Sequence, residues 1–259
     1  MQFYEVVDRI PLWTLFLLSF GLFLLAIEAG YRLARYRDKR TAKDKEPAAP
    51  VGAIVASLLG LLAFMQAFSF GMASTRFEER RQAMHAEANA IRNAYLRAAL
   101  MPEPITTDTR KLLIEYADTR LQATRLETID ESVRKSQEIH ERLWAQAIAA
   151  GEQGKPALNS LFIQSVNEII DLHAKRVIAG LRSRVPPVIW GVLYFLAILG
   201  MTSLGYQCGL TGNRRSIAMF IVVSAFSVVL VLIADLDRPG DGLFRAGQAS
   251  LTDVRNLMR

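Results

Sequence analysis

Four apolar runs, at 11–27, 51–72, 186–206 and 216–234, constrain this chain more than any other feature. Each approaches the ~20 residues that a helix needs to cross a hydrocarbon core, where every backbone N–H and C=O must be satisfied within the protein. A buried helix of a soluble protein would explain any one run, but only membrane helices explain all of them economically. The 51% hydrophobic content is therefore an average over unlike segments, with the charge collected between the runs. The opening MQFYEVVDR carries Glu5 and Asp8 where a cleavable leader would be basic. The first run is therefore expected to be a retained helix.

Charge sets the expected orientation. The connection YRLARYRDKRTAKDKEPAAP holds Arg32, Arg35, Arg37, Lys39, Arg40, Lys43 and Lys45, a density that predicts the cytoplasmic side for a short loop. Arg214 and Arg215, between the third and fourth runs, agree. The termini and the long middle segment then face outward, because long segments cross largely regardless of their own charge.

The middle segment breaks at MPEPITTD and GEQGKP, which predicts three helical stretches. The first continues the second run to about Leu100, since AFSFGMASTRFEERR passes from apolar to charged without a proline. The second starts at Thr107 or Asp108, either of which could cap it, and ends near Ala150. Thr128 and Glu131 have the spacing of a capping box and mark a restart. The third runs from Pro156 to Pro186. In the second stretch Leu112, Leu113, Tyr116, Leu126, Ile129, Val133, Leu143, Trp144 and Ile148 recur at helical spacing and predict one apolar face that packs on the other stretches. Leu251, Val254 and Met258 form a short apolar edge near the C-terminus. The expected fold is all-α, with four transmembrane helices and a long-helix bundle inserted between helices two and three. Its parts are 1–72 (first helix pair and basic loop), 73–185 (extramembrane bundle continuous with its flanking spans), 186–234 (second helix pair) and 235–259 (a turn and a short helix).

Candidate functional residues concentrate on the second run. Ala56, Gly60, Ala63, Ala67 and Gly71 form a stripe of small residues suited to close helix packing. Beside it Leu61, Phe64, Phe68 and Met72 form a bulkier face for lipid, a neighbouring subunit or a pore axis, where a hydrophobic constriction could gate by dewetting. Gln66 is the deepest strongly polar group and is a candidate either for a hydrogen bond between helices or for the lining of a path. Arg76, Arg80 and Arg81, with Glu87, follow just beyond the membrane. They make either a solvated face touching lipid headgroups or, repeated by symmetry, rings of positive charge that concentrate anions.

Several chemistries find no support. Cys208 is the sole cysteine, which excludes an intramolecular disulfide and a cysteine-rich metal site. His85, His140 and His173 lack metal-ligand spacing, and no nucleophile elbow, phosphate loop or zincin motif is present. Enzymatic activity is not expected. Basic residues at membrane edges without interleaved aromatics argue against nucleic acid. Asp235, Asp237 and Asp241 surround a Pro-Gly turn and could ligate calcium through oxygen, although Arg238 could instead pair with one of them. No other cofactor is expected.

The runs RFEERRQAMHAEANAIRNAYLRAALMPEP, LLIEYADTRL and DLDRPGDGLFRAGQ resemble, in order and over nearly the whole chain, the bacterial bestrophin-like domain family. Arg76, Arg81, Glu87, Asn89, Tyr95, Arg97, Tyr116, Arg120, Asp235, Asp237, Pro239, Gly242 and Gln248 carry the likeness. The resemblance implies a multi-pass protein of a bacterial inner membrane. By analogy with true bestrophins, it also implies a homo-oligomer, a pentamer, that passes inorganic ions and favours anions. Its partners would be lipid, further copies of itself and those ions. The alternative is a non-conducting scaffold or envelope sensor acting through the bundle. Two features depart from bestrophins: the bundle is expected on the outer side, and FMQAFSF interrupts an apolar neck with Gln66 and Ser69.

Overall fold

The computed structural model describes residues 4, 8, 10–40, 48–122, 126–152, 156–212, 217–238 and 249–258. These form α-helices and no strand: α1 Leu12–Arg40, α2 Ala48–Ala98, α3 Ile105–Gln122, α4 Leu126–Gly151, α5 Pro156–Val177, α6 Pro187–Thr211, α7 Ile217–Asp237 and α8 Ala249–Leu257. A π-helical turn, Ile178–Arg182, extends α5. Helices α1, α2, α6 and α7 are long and apolar enough to cross a membrane. The chain divides into two compact units, 1–75 with 184–238, and 76–183 with 239–259.

In the first unit α1 packs along α6 and α7. The α1–α6 crossing is tight because glycine stands where the backbones meet: a Cβ at Gly205 would overlap the Ile27 carbonyl, and one at Gly30 the Thr202 carbonyl. Small residues permit this approach, and dispersion between the backbones then holds the pair without any hydrophobic drive from lipid. The Ser19 and Tyr194 hydroxyls meet at 2.8 Å across the same pair. Helix α6 opens on Pro187 and ends at Gly212 in the left-handed conformation (φ 67°), where an L side chain would be strained.

Helix α2 runs 51 residues without a break, about 75 Å at 1.5 Å per residue. No proline interrupts it, and the Ser69 and Thr75 hydroxyls are satisfied by the Met65 and Gly71 carbonyls one turn back. Its buried positions are Val51, Val55, Leu62, Gln66, Ser69 and Ala73 in the first unit and Arg80, Glu87, Ala88, Ala90, Ile91, Ala94 and Ala98 in the second. Apart from Ala88 and Ala90, successive positions are three, four or seven apart, so one face is buried in both units; its polar members are Gln66 and Ser69 in the first and the charged Arg80 and Glu87 in the second.

The second unit packs the outer half of α2 with α3, α4, α5 and α8 around Ile91, Leu113, Tyr116, Ile139, Leu143, Phe162 and Ile169. The stretch expected to run from Thr107 to Ala150 is two helices, parted between Gln122 and Leu126. Helix α3 begins at Ile105, ahead of both candidate caps. Thr106, inside its first turn, donates to the Ala98 carbonyl at 2.9 Å and ties it to the end of α2. On α4 the buried face is Ser132, Ser136, Ile139, His140, Leu143, Ala147 and Ala150, while Trp144 and Ile148 are 40% and 56% exposed. Small side chains, as much as Ile139 and Leu143, mark where α4 meets its neighbours. The side chains of Leu126, Thr128 and Ile129 lie outside the described residues. Leu251, Val254 and Met258 are buried in this core, and Arg255 fastens α8 to α3 through both carboxylate oxygens of Asp118, at 2.6 and 3.1 Å.

Candidate functional site

In the membrane half of α2 Gln66 and Ser69 are buried, while the exposed Ser57 hydroxyl bonds back to the Ala53 carbonyl. Gln66 donates to the Phe226 carbonyl of α7 at 3.1 Å, and Ser69 is fully buried. The two residues that interrupt FMQAFSF are therefore on the packed face of the helix. Leu61, Phe64 and Phe68 are 46%, 67% and 57% exposed. Ala56, Gly60, Ala63, Ala67 and Gly71 are exposed too, and a Cβ added at Gly60 or Gly71 would meet nothing within 4 Å. Within this chain the close packing falls to Gly30 and Gly205, and the small stripe of α2 is left open.

Beyond the membrane the three arginines separate. Arg81 is exposed, 3.9 Å from Glu78, Arg76 is half-buried, and Arg80 is buried. Glu87 is not on a solvated face. It is completely buried, with Arg176 of α5 paired to its Oε2, Arg120 Nε of α3 3.3 Å from its Oε1, and the Tyr116 hydroxyl donating to Oε1 at 2.5 Å. Replacing one arginine by a neutral residue would leave buried charge uncompensated, a loss of roughly 3–5 kcal/mol.

Hydrogen-bond accounting fixes the state of this cluster. Burial alone would raise the Glu87 pKa, but Arg176, the adjacent His173, Arg120 and Tyr116 together hold it well below the usual carboxylate range. Glu87 is therefore an anion that only accepts. Tyr116 gives it its single proton, and burial next to that carboxylate raises the phenol pKa well above its ordinary value. Toward His173 Nδ1, at 3.2 Å, the phenol oxygen must then accept, which assigns the proton of His173 to Nδ1. His140 lies against both rings, 5.0 Å from Tyr116 and 4.8 Å from His173 between centroids. Burial first and His173 second push its pKa down to about 4, so its ring is neutral at pH 7. Sequence reasoning missed Arg176 and both histidines. Their signal was spacing: Tyr116 and Arg120 are four apart on α3, and His173 and Arg176 three apart on α5, so each pair shares a face.

Asp235 and Asp237 are buried at the end of α7, and Asp241 lies outside the described residues. Asp237 Oδ1 accepts from the Val185 amide at 2.8 Å, and its Oδ2 is 3.6 Å from Arg184. Arg184 also pairs with Asp8 and sits over the Tyr4 ring at 5.1 Å. Asp237 is thus ion-paired to Arg184 and hydrogen-bonded to the backbone. Among the described residues no three His, Cys, Asp or Glu side chains converge on a metal-sized space.

Comparison with known proteins follows this geometry. A family model, the Bestrophin-like domain, matches residues 20–251. No curated protein matches. Solved structures do. A bacterial bestrophin homolog from Klebsiella pneumoniae carrying one substitution superposes with a TM-score of 0.67 at 14% identity, covering 95% of this chain and 97% of that one. A second crystal structure of that homolog, phased on zinc, gives 0.63 at 14% identity over 96% of each chain. A crystal structure of a variant membrane protein gives 0.67 at 14% identity, covering 95% and 97%. At such identity these likenesses speak for the fold, while the family model spans most of the chain. The all-helical architecture, its four membrane helices and the matched residues make this multi-pass membrane protein a member of the bestrophin-like domain family.

Proposed function

We propose that the protein is a homo-oligomeric channel for small inorganic ions, anions in preference, with the path running along the membrane half of α2. The observation that carries this reading is the face that α2 leaves open. Gln66 and Ser69 turn inward, while a ridge of Leu61, Phe64 and Phe68 and a stripe of small residues stay uncovered. Lipid contact would accept the phenylalanines, but a stripe of glycine and alanine gains little from lipid and much from a second helix. Other copies of this chain would supply that helix, and the phenylalanines beside it would meet around the axis as an apolar constriction. Arg76 and Arg81, about two and nearly four turns beyond Phe68, would form the positive rim. The reading assigns no cofactor, because Arg184 already supplies the cation beside Asp237. It places the protein in a bacterial inner membrane.

Ion flux in liposomes tests it. Phe64→Ala and Phe68→Ala should raise basal flux by widening the constriction, Ala63→Leu and Ala67→Leu should impair assembly, and Arg81→Glu should weaken anion preference. A verified oligomer that shows no flux above empty liposomes, in the wild type and both phenylalanine variants, would favour the non-conducting scaffold.

A further inference from the structure

A cavity of about 320 Å³ lies in the first unit, where the N-terminal turns of α1 and α6 meet the end of α7. Its wall is apolar along the helices, with Leu15, Trp190, Gly191 and Ala234. At the helix ends it is closed by Asp8 and Arg184, with Asp237 and Arg238 beside them. The volume is within the range of small-molecule sites, and tryptophan and tyrosine beside an ion-paired end are the composition of a membrane–water boundary.

One buried acceptor here is unaccounted for. The Asp8 side chain is 7% exposed and its Oδ2 is held by Arg184, yet Oδ1 is buried with no hydrogen-bond partner among the described residues. A buried carboxylate oxygen without a donor is costly. The charges lining the cavity balance, two aspartates against two arginines, so an occupant without net charge, a zwitterion, suits it better than a free anion or a free cation. The missing piece is a donor, and the apolar wall beside it calls for an alkyl chain on the same molecule.

We propose that this cavity seats an amine-bearing membrane lipid, its primary ammonium donating to Asp8 Oδ1 and the start of an acyl chain lying against Leu15, Trp190 and Gly191. A trimethylammonium head has no N–H to give, so headgroup chemistry discriminates. A neighbouring Cβ is also accommodated: one added at Gly191 would meet nothing within 4 Å. Gly191→Leu therefore has room for its Cβ and adds side-chain volume at the cavity wall.

The test uses the full chain in nanodiscs, with Trp13→Phe and Trp144→Phe leaving Trp190 as the fluorophore. Lipids brominated near the carbonyl of the acyl chain act as the quencher. Brominated phosphatidylethanolamine should quench Trp190 saturably, and unlabelled phosphatidylethanolamine should displace it about tenfold better than phosphatidylcholine, the worth of one charge-assisted hydrogen bond. Gly191→Leu should abolish the quenching with an unchanged melting temperature, and Asp8→Asn should abolish the headgroup preference. Equal displacement by the two lipids, or quenching that survives Gly191→Leu, overturns the site. Displacement by free ethanolamine at the same concentration overturns the lipid assignment in favour of a soluble amine.

Discussion

A carboxylate without access to water is stable only where neighbours replace what water gave it, and Glu87 accepts from the Arg176 guanidinium and the Tyr116 phenol with the Arg120 charge beside it. His140 shares that environment but stays neutral, and the consequence is a pH dependence of known sign. The unfolded chain protonates His140 near its ordinary value of about 6.5, the folded chain only at about 4. The unfolded state therefore binds more protons across that window, and stability falls as pH drops through it, by an amount of order 1–3 kcal/mol. Glu87 adds a second loss further down, because its stabilisation is present above the usual carboxylate range and disappears as pH falls through its depressed value. The thermal midpoint of the protein in nanodiscs should decline from pH 7 toward pH 4. His140→Phe should flatten the upper part of that decline and leave the steep acid limb. A variant with the wild-type slope between pH 6.5 and 4.5 would show that another group governs it.

At the scale of the element, α2 is one helix that changes solvent along its length. The change is possible because its backbone bonds are internal everywhere and only its side chains differ between the two ends. Thr75 is the last residue of the first unit and lies well inside the helix. Thr75→Pro would remove a donor from the ladder and clash with the turn before it, at roughly 3 kcal/mol or more. The expected outcome is a lower thermal midpoint and weakened assembly by size-exclusion chromatography. If both are unchanged, the two halves of α2 are mechanically independent. Helix α4 carries a different lesson: its buried face is set by serine and alanine as much as by leucine, so apolar size alone misplaces Trp144 and Ile148.

For the whole molecule, the charged connections predict the side of the membrane that holds the second unit. The basic loop at 32–45 argues for the outer side. In a Cys208→Ser background, a cysteine at the exposed Gln137 should react with an impermeant reagent on intact spheroplasts, and one at Arg35 should react only after lysis. The opposite pattern would reverse the orientation. Either answer leaves the fold untouched, since the same helices pack in the same way from both sides.

The sequence by itself determined the all-helical class, the four membrane helices and the continuity of α2, because length, hydropathy and the absence of proline act locally and need no partner. It also pointed to Glu87, Tyr116 and Arg120 as positions of the family pattern. Only the tertiary structure decided what those residues do. The convergence of Glu87 from α2, Tyr116 and Arg120 from α3, His140 from α4 and His173 and Arg176 from α5 joins residues up to 89 positions apart, and no periodicity within one helix encodes which faces meet. The same reason explains why the close crossing fell to Gly30 and Gly205 while the small stripe of α2 stayed open. A stripe tells that a helix can approach another, and the packing of all the helices selects which one it approaches.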